Sequence, residues 1–99
     1  MKAVSVILTN WLRWEGQISL PSDGEYRFFT RSDDGSELFI NGQQIVFNDF
    51  NQGMTERSGT INLTAGSYPI VVMWRQGGGG YGLEVRYQGP GISKQLIPD

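Results

Sequence analysis

Turn signals punctuate this chain every eight to twelve residues, and the runs between them alternate with a period of two. Nowhere do apolar residues recur at helical spacing for three turns. Period-two runs bounded by Gly, Pro, Asn and Asp read as half-buried β-strands. Leu12, Trp14, Ile18 and Leu20 alternate with Arg13, Glu15, Gln17 and Ser19, with Gly16 on the apolar parity. Pro21-Ser22-Asp23-Gly24 then turns the chain. An aromatic strand follows over 25–30, with Tyr26, Phe28 and Phe29. After Asp33-Asp34-Gly35 come Leu38-Phe39-Ile40, the hairpin dipeptide Asn41-Gly42, and a returning strand over 43–47. The stretch 48–56 is polar and irregular and reads as a surface loop.

Alternation resumes over 59–63, turns at Thr64-Ala65-Gly66-Ser67, and continues over 68–75, the most hydrophobic run. Ile70, Val72 and Trp74 share one face, and Val71 and Met73 the other. Both faces look covered, the pattern of a central strand. Leu83, Val85 and Tyr87 alternate after a glycine loop, Gly89-Pro90-Gly91 ends that run, and 92–97 is a last short strand. The opening residues 1–8 resemble a signal peptide only faintly and read as a first strand. The expectation is an antiparallel β-sandwich or barrel, one domain over residues 1–99 with no internal repeat or linker.

Composition removes several function classes. There is no cysteine, so no disulfide framework and no thiolate metal site. There is no histidine, which takes away the usual general base, the common Zn²⁺ ligand and any Ser-His or Cys-His dyad. The net charge is −2 and the basic residues are scattered, without the patch expected of a nucleic-acid binder. No apolar run is long enough for a membrane-spanning helix. Trp14 and Trp74 lie on apolar faces and are assigned to the core; Trp11 is the tryptophan a surface can most easily claim.

Two segments are more than a plain hairpin needs. One is Arg31-Ser32-Asp33-Asp34-Gly35-Ser36, with adjacent carboxylates; the other, about forty residues downstream, is Gln76-Gly77-Gly78-Gly79-Gly80-Tyr81-Gly82. Hard cations take clustered carboxylates, side-chain carbonyls and backbone carbonyls. A fold that joins these loops carries a Ca²⁺ site with open positions. The bland readings stand beside this one. Asp and Gly favour turns, so Asp33-Asp34-Gly35 alone is an ordinary acidic turn. Four glycines also suit a loop tip, Gln76 a solvated strand end, and Tyr81 a plain surface position. The pattern argues against a phosphate cradle, because no Lys-Ser/Thr follows the glycines and no helix begins there. Arg31 and Asn48 are candidates to border the site. Asp49, with Asn48 and Asn51, is either a second oxygen-rich loop or a solvated connection.

The order of these signals resembles the PA14 domain family. The resemblance rests on Trp14-Glu15-Gly16, Leu20-Pro21-Ser22-Asp23-Gly24, Tyr26-Arg27-Phe28, Ser32 to Ser36 and Asn41-Gly42. It continues with Thr60-Ile61-Asn62-Leu63-Thr64-Ala65-Gly66-Ser67-Tyr68-Pro69-Ile70, Gly77 to Gly80 and Gly89-Pro90-Gly91. Each motif is weak alone; their shared order and spacing over residues 12–98 is specific. The family pattern usually carries a further stretch before its W-E-G strand, so the resemblance implies a minimal or trimmed member. A missing strand would leave a sheet edge open to weak self-association.

The resemblance implies a β-sandwich of the kind found on adhesins, glycoside hydrolases and toxin components, outside the cell or on its surface. In lectin-like members, two aspartates joined by a cis peptide bind Ca²⁺. Carried over, Asp33 and Asp34 give carboxylates, Gln76 its side-chain oxygen, and Gly78 and Gly80 backbone carbonyls. Vicinal hydroxyls of a glycan would complete the shell, with Gly79 and Tyr81 beside the sugar. The expected function is a Ca²⁺-dependent carbohydrate-binding module and not an enzyme. The alternative is a structural or protein-interaction module of a larger surface protein, toxin or glycoside hydrolase.

Overall fold

The computed structural model describes residues 2–8, 11–75 and 82–98, of which 2–8 are described as backbone only. The strands are β1 (Lys2–Leu8), β2 (Trp11–Leu20), β3 (Gly24–Asp33), β4 (Ser36–Ile40) and β5 (Gln43–Asn48). They continue with β6 (Thr55–Leu63), β7 (Gly66–Arg75), β8 (Gly82–Gly89) and β9 (Ile92–Leu96). Two antiparallel sheets face each other. One has the order β1-β2-β7-β4-β5, the other β6-β3-β8-β9.

Alternation decides which side chains meet between the sheets. Ile18, Leu20, Leu38, Ile40, Val46, Ile70 and Val72 come from the five-stranded sheet, and Tyr26, Phe28, Val85 and Tyr87 from the other. The Phe28 and Tyr87 rings stack with centroids 6.2 Å apart. Trp74 is buried and Trp14 packs partly buried against this core, as expected, while Trp11 lies half-buried on the opposite, outer parity of β2. Asn41 and Gly42 both take positive φ, 52° and 81°, the conformation that the Asn-Gly hairpin dipeptide predicts.

Tyr26 is fully buried, and its hydroxyl donates to the Ser22 carbonyl at 2.6 Å. This ties the 21–23 turn to the core. Tyr26→Phe keeps the ring and loses that bond. It is expected to cost about 1 kcal/mol, read as a fall of roughly 4–8 °C in the melting midpoint.

Two expectations change. The polar stretch 48–56 is not all loop: β5 runs through Asn48 and β6 begins at Thr55. Thr55 to Ser58 pair with Ser32 to Phe29 along β3. β6 is a sheet edge, where main-chain pairing suffices and apolar alternation is not needed. Strand β7 is indeed central in its sheet, but only its inner face is fully covered. Val71 and Met73 on the outer face stay half-exposed in a groove with Trp11 and Phe39.

The connections sort to the two ends of the sandwich. The turns at 21–23, 41–42, 64–65 and 90–91 lie at one end, where Asn41 N donates to Pro69 O and Ala65 N to Asp23 Oδ1. The Asp33–Ser36 crossing, the 49–54 loop and the flanks of segment 76–81 lie at the other.

Candidate functional site

Strand β3 belongs to the four-stranded sheet and β4 to the five-stranded one, so Asp34 and Gly35 carry the chain between sheets. The chain crosses back between β7 and β8 through segment 76–81. The described residues on either side of that segment both meet the aspartates. Gly82 is the pairing partner of Asp33. Asp34 N donates to Arg75 O at 3.1 Å, and Arg75 N donates to Gly35 O at 2.7 Å. Gln76, Gly78, Gly79, Gly80 and Tyr81 themselves lie outside the described residues.

The turn is held on every side. The Asp33–Asp34 peptide is cis, as the resemblance implies. Trp74 Nε1 donates to Asp33 O at 3.2 Å, and Ser32 Oγ to Asp34 O at 2.8 Å. Gln52 N donates to Asp34 Oδ1 at 3.1 Å. A Cβ on Gly35 would sit 2.8 Å from Asp49 Cα, so only glycine lets the turn approach the 49–54 loop this closely.

Beneath the turn lies a buried polar layer that sequence reasoning missed. Thr30, Ser32, Ser36 and Asn48 are fully buried. Ser32 Oγ and Ser36 Oγ share a hydrogen bond of 2.7 Å, and Ser36 Oγ donates to Thr30 Oγ1 at 2.9 Å. Asn48 Nδ2 donates to Thr30 O and Thr55 O at 3.1 and 2.9 Å. Gln52 Nε2 donates to Asn48 Oδ1 at 3.0 Å and to Ser32 O at 3.2 Å. Buried polar groups survive only when paired, and this pairing links the aspartate turn to both sheets. A signal for part of it exists: Thr30 and Ser32 share the buried parity of Tyr26 and Phe28 on β3.

Four further residues fall in place. Asn48 lies under the site and does not border it. Arg31 pairs with Glu84 across β3 and β8 at 3.3 Å. Asp49 and Asn51 lie in a solvated connection, with Asn51 exposed, and they also have a partner. They clamp Arg75, with Nε to Asp49 Oδ1 at 3.1 Å and Nη1 to Asn51 Oδ1 at 2.9 Å.

The donor set fits a hard cation. Partial desolvation first, then the adjacent Asp34 carboxylate and the hydrogen bond between the two, hold the Asp33 carboxyl above the ordinary aspartate range. Among the described residues no basic side chain pairs with either aspartate. Two oxygen-bearing groups are thus held side by side with no cationic partner among the described residues, and oxygen donors match a hard cation better than a soft metal. No third His, Cys, Asp or Glu joins them among the described residues. Any further oxygens must come from amides, backbone carbonyls or a ligand.

The family model for the PA14 domain matches residues 9–99. Among solved structures, an anti-sigma factor domain-containing protein is similar over 89% of this chain and 31% of its own, at 28% identity and a TM-score of 0.84. The PA14 sugar-binding domain from an RTX adhesin is similar over 88% of this chain and 50% of its own, at 27% identity and a TM-score of 0.76. The PA14 domain of the antifreeze protein MpAFP shares the fold, at 24% identity and a TM-score of 0.77, over 88% of this chain and 47% of its own. The chain therefore spans between about a third and a half of these three. None of the curated proteins matches it.

Proposed function

The chain belongs to the PA14 domain family, and on that premise we propose that it is a Ca²⁺-dependent carbohydrate-binding module. Asp33 and Asp34 would hold the ion with carboxylates, Gln76 with its side-chain oxygen, and Gly78 and Gly80 with backbone carbonyls. When bound, Ca²⁺ supplies a flexible shell of about six to eight oxygens, of which these residues fill about five and two vicinal sugar hydroxyls the rest. Gly79 and Tyr81 would lie beside the sugar. Gln52 and Trp74 orient the aspartates, and the Arg75–Asp49 pair steadies the flank of segment 76–81. The module is assigned to an extracellular or cell-surface protein.

One observation carries this reading: both flanks of segment 76–81, Arg75 and Gly82, pair directly with the Asp33–Gly35 turn. The similarity to a domain described as sugar-binding supports it. Catalysis is not assigned. A carboxylate pair that cleaves glycosides flanks the bond at roughly 5–9.5 Å, and adjacent carboxylates committed to an ion cannot also serve as acid and base. The alternative, a structural or interaction module, draws on the exposed Phe47 and Phe50, 53% and 46% accessible and paired edge to face.

The test is a glycan panel with Ca²⁺ and with excess chelator. At least one glycan is expected to bind in Ca²⁺ and to be lost in chelator. Asp33→Asn and Asp34→Asn should each abolish binding while the circular dichroism spectrum is kept. Undiminished binding in chelator would remove the ion from the mechanism. Silence across the panel, with oligomers seen by light scattering, would favour the interaction module.

A further inference from the structure

The outer face of the five-stranded sheet carries a groove of about 590 Å³, away from the buried core. Its size is that of a small-ligand site. The register explains its make-up. Arg13, Met73 and Glu37 lie in one row across β2, β7 and β4, and Val71 and Phe39 are neighbours in the next row. Met73 and Val71 therefore form an apolar floor, with Phe39 beside it. Arg13 and Glu37 stand on opposite walls, two strand spacings or roughly 10 Å apart. Trp11 closes the end nearest the aspartate turn.

That end is continuous with the proposed ion site. Trp11 pairs with Arg75, whose guanidinium lies 6.0 Å from the Trp11 ring centroid. The Arg75 backbone is bonded to Asp34 and Gly35.

We propose that this groove is a second carbohydrate subsite, taking internal residues of a neutral, unbranched oligosaccharide. Trp11, Phe39, Val71 and Met73 receive the C–H face of a pyranose ring, and Arg13 and Glu37 bond its hydroxyls from the two sides. The chemistry separates this occupant from others. A pyranose has an apolar face and a rim of groups that both donate and accept, which an apolar floor between a guanidinium and a carboxylate matches. A lipid or an apolar peptide face would cover the floor but offer no hydrogen-bonding rim to the Arg13 guanidinium, which pairs with Glu15, or to the Glu37 carboxylate, which accepts from Gln44. Glu37 is already partly desolvated: burial, then the Asp49 charge, raises its carboxyl above the usual range. The hydrogen bond from Gln44 Nε2, at 2.6 Å, acts in the other direction and lowers it. The proposal rests on the glycan-binding reading but not on the ion, so the two fail separately.

The experiment uses the whole chain with labelled methionine methyl and tryptophan indole groups. It is titrated with cellotetraose, maltotetraose, mannotetraose, xylotetraose and glucose, in Ca²⁺ and in excess chelator. At least one tetrasaccharide is expected to move the Met73 methyl and Trp11 indole signals saturably, in chelator as well as in Ca²⁺, with glucose much weaker. Phe39→Ala should weaken this about tenfold, the equivalent of 1.4 kcal/mol. Glu37→Gln, which keeps the shape, should weaken it several-fold with the melting midpoint unchanged. No movement of these two signals with any tetrasaccharide would overturn the subsite. So would movement that survives Phe39→Ala. Shifts that follow protein concentration without sugar would also overturn it, by assigning the groove to a second copy of the chain. Loss of Ca²⁺ response with the groove shifts intact would reject the ion reading alone.

Discussion

With Ca²⁺ at about a hundred times its dissociation constant, the melting midpoint is expected about 10–20 °C above its value in excess chelator. Linkage gives roughly 2.7 kcal/mol at that saturation, and in a domain of this size each kcal/mol moves the midpoint by about 4–8 °C. The source is electrostatic. Asp33 and Asp34 are covalent neighbours, the turn is held by Gln52, Trp74 and Ser32, and no basic side chain among the described residues pairs with either carboxylate. Their mutual repulsion is expected to oppose folding, and a bound cation to offset it. Mg²⁺ should give a much smaller shift, because it demands a tight octahedron and gives up water reluctantly. Asp33→Asn separates the two parts of the argument. It removes repulsion, so the midpoint in chelator should hold or rise, and it removes a ligand, so the Ca²⁺ shift should collapse. A wild-type midpoint indifferent to Ca²⁺ would reduce the turn to a connection and remove the ion from the proposal.

The strands were legible because they obey a rule that one sequence displays. Leu38, Ile40, Ile70 and Val72 alternate with half-buried or exposed partners, and the sheet puts them where alternation predicts. Asn41-Gly42 is similarly local: both residues take the positive φ that their type allows. What stayed hidden depends on contacts between elements. Thr55 to Ser58 look like loop because an edge strand is held by main-chain bonds that side chains do not announce. The outer face of β7 looks buried because Val71 and Met73 are apolar, yet they form the floor of a groove. At the site, the aspartate pair was visible as composition, and its nearness to Arg75 and Gly82, the flanks of the second loop, was not. That nearness arises because β3–β4 and β7–β8 cross between sheets at the same end. Gln52 carried no signal, since a glutamine in a polar loop looks solvated until Asn48 and Asp34 are found beside it.

Asn48→Leu is expected to cost about 3 kcal/mol, close to 10–20 °C, although it adds apolar volume to a fully buried position. Asn48 donates to Thr30 O and Thr55 O and accepts from Gln52 Nε2. Leucine cannot replace any of these bonds, and groups left unpaired in a low dielectric cost far more than a paired bond gains. Gln52→Ala should cost less, about 1 kcal/mol, because Gln52 is only half-buried and its main-chain bond to Asp34 Oδ1 does not need the side chain. If the layer acts as one unit, the double variant should cost less than the sum by about 0.5–3 kcal/mol, since Asn48 and Gln52 are partners of each other. Chemical denaturation of the four proteins measures that coupling. The Ca²⁺ shift should fall in parallel, because the same bonds that stabilise the sheets also fix the segment from which Gln52 reaches Asp34. Strictly additive costs with an undiminished Ca²⁺ shift would show instead that the buried layer is scaffold only and that the aspartate turn is positioned without it.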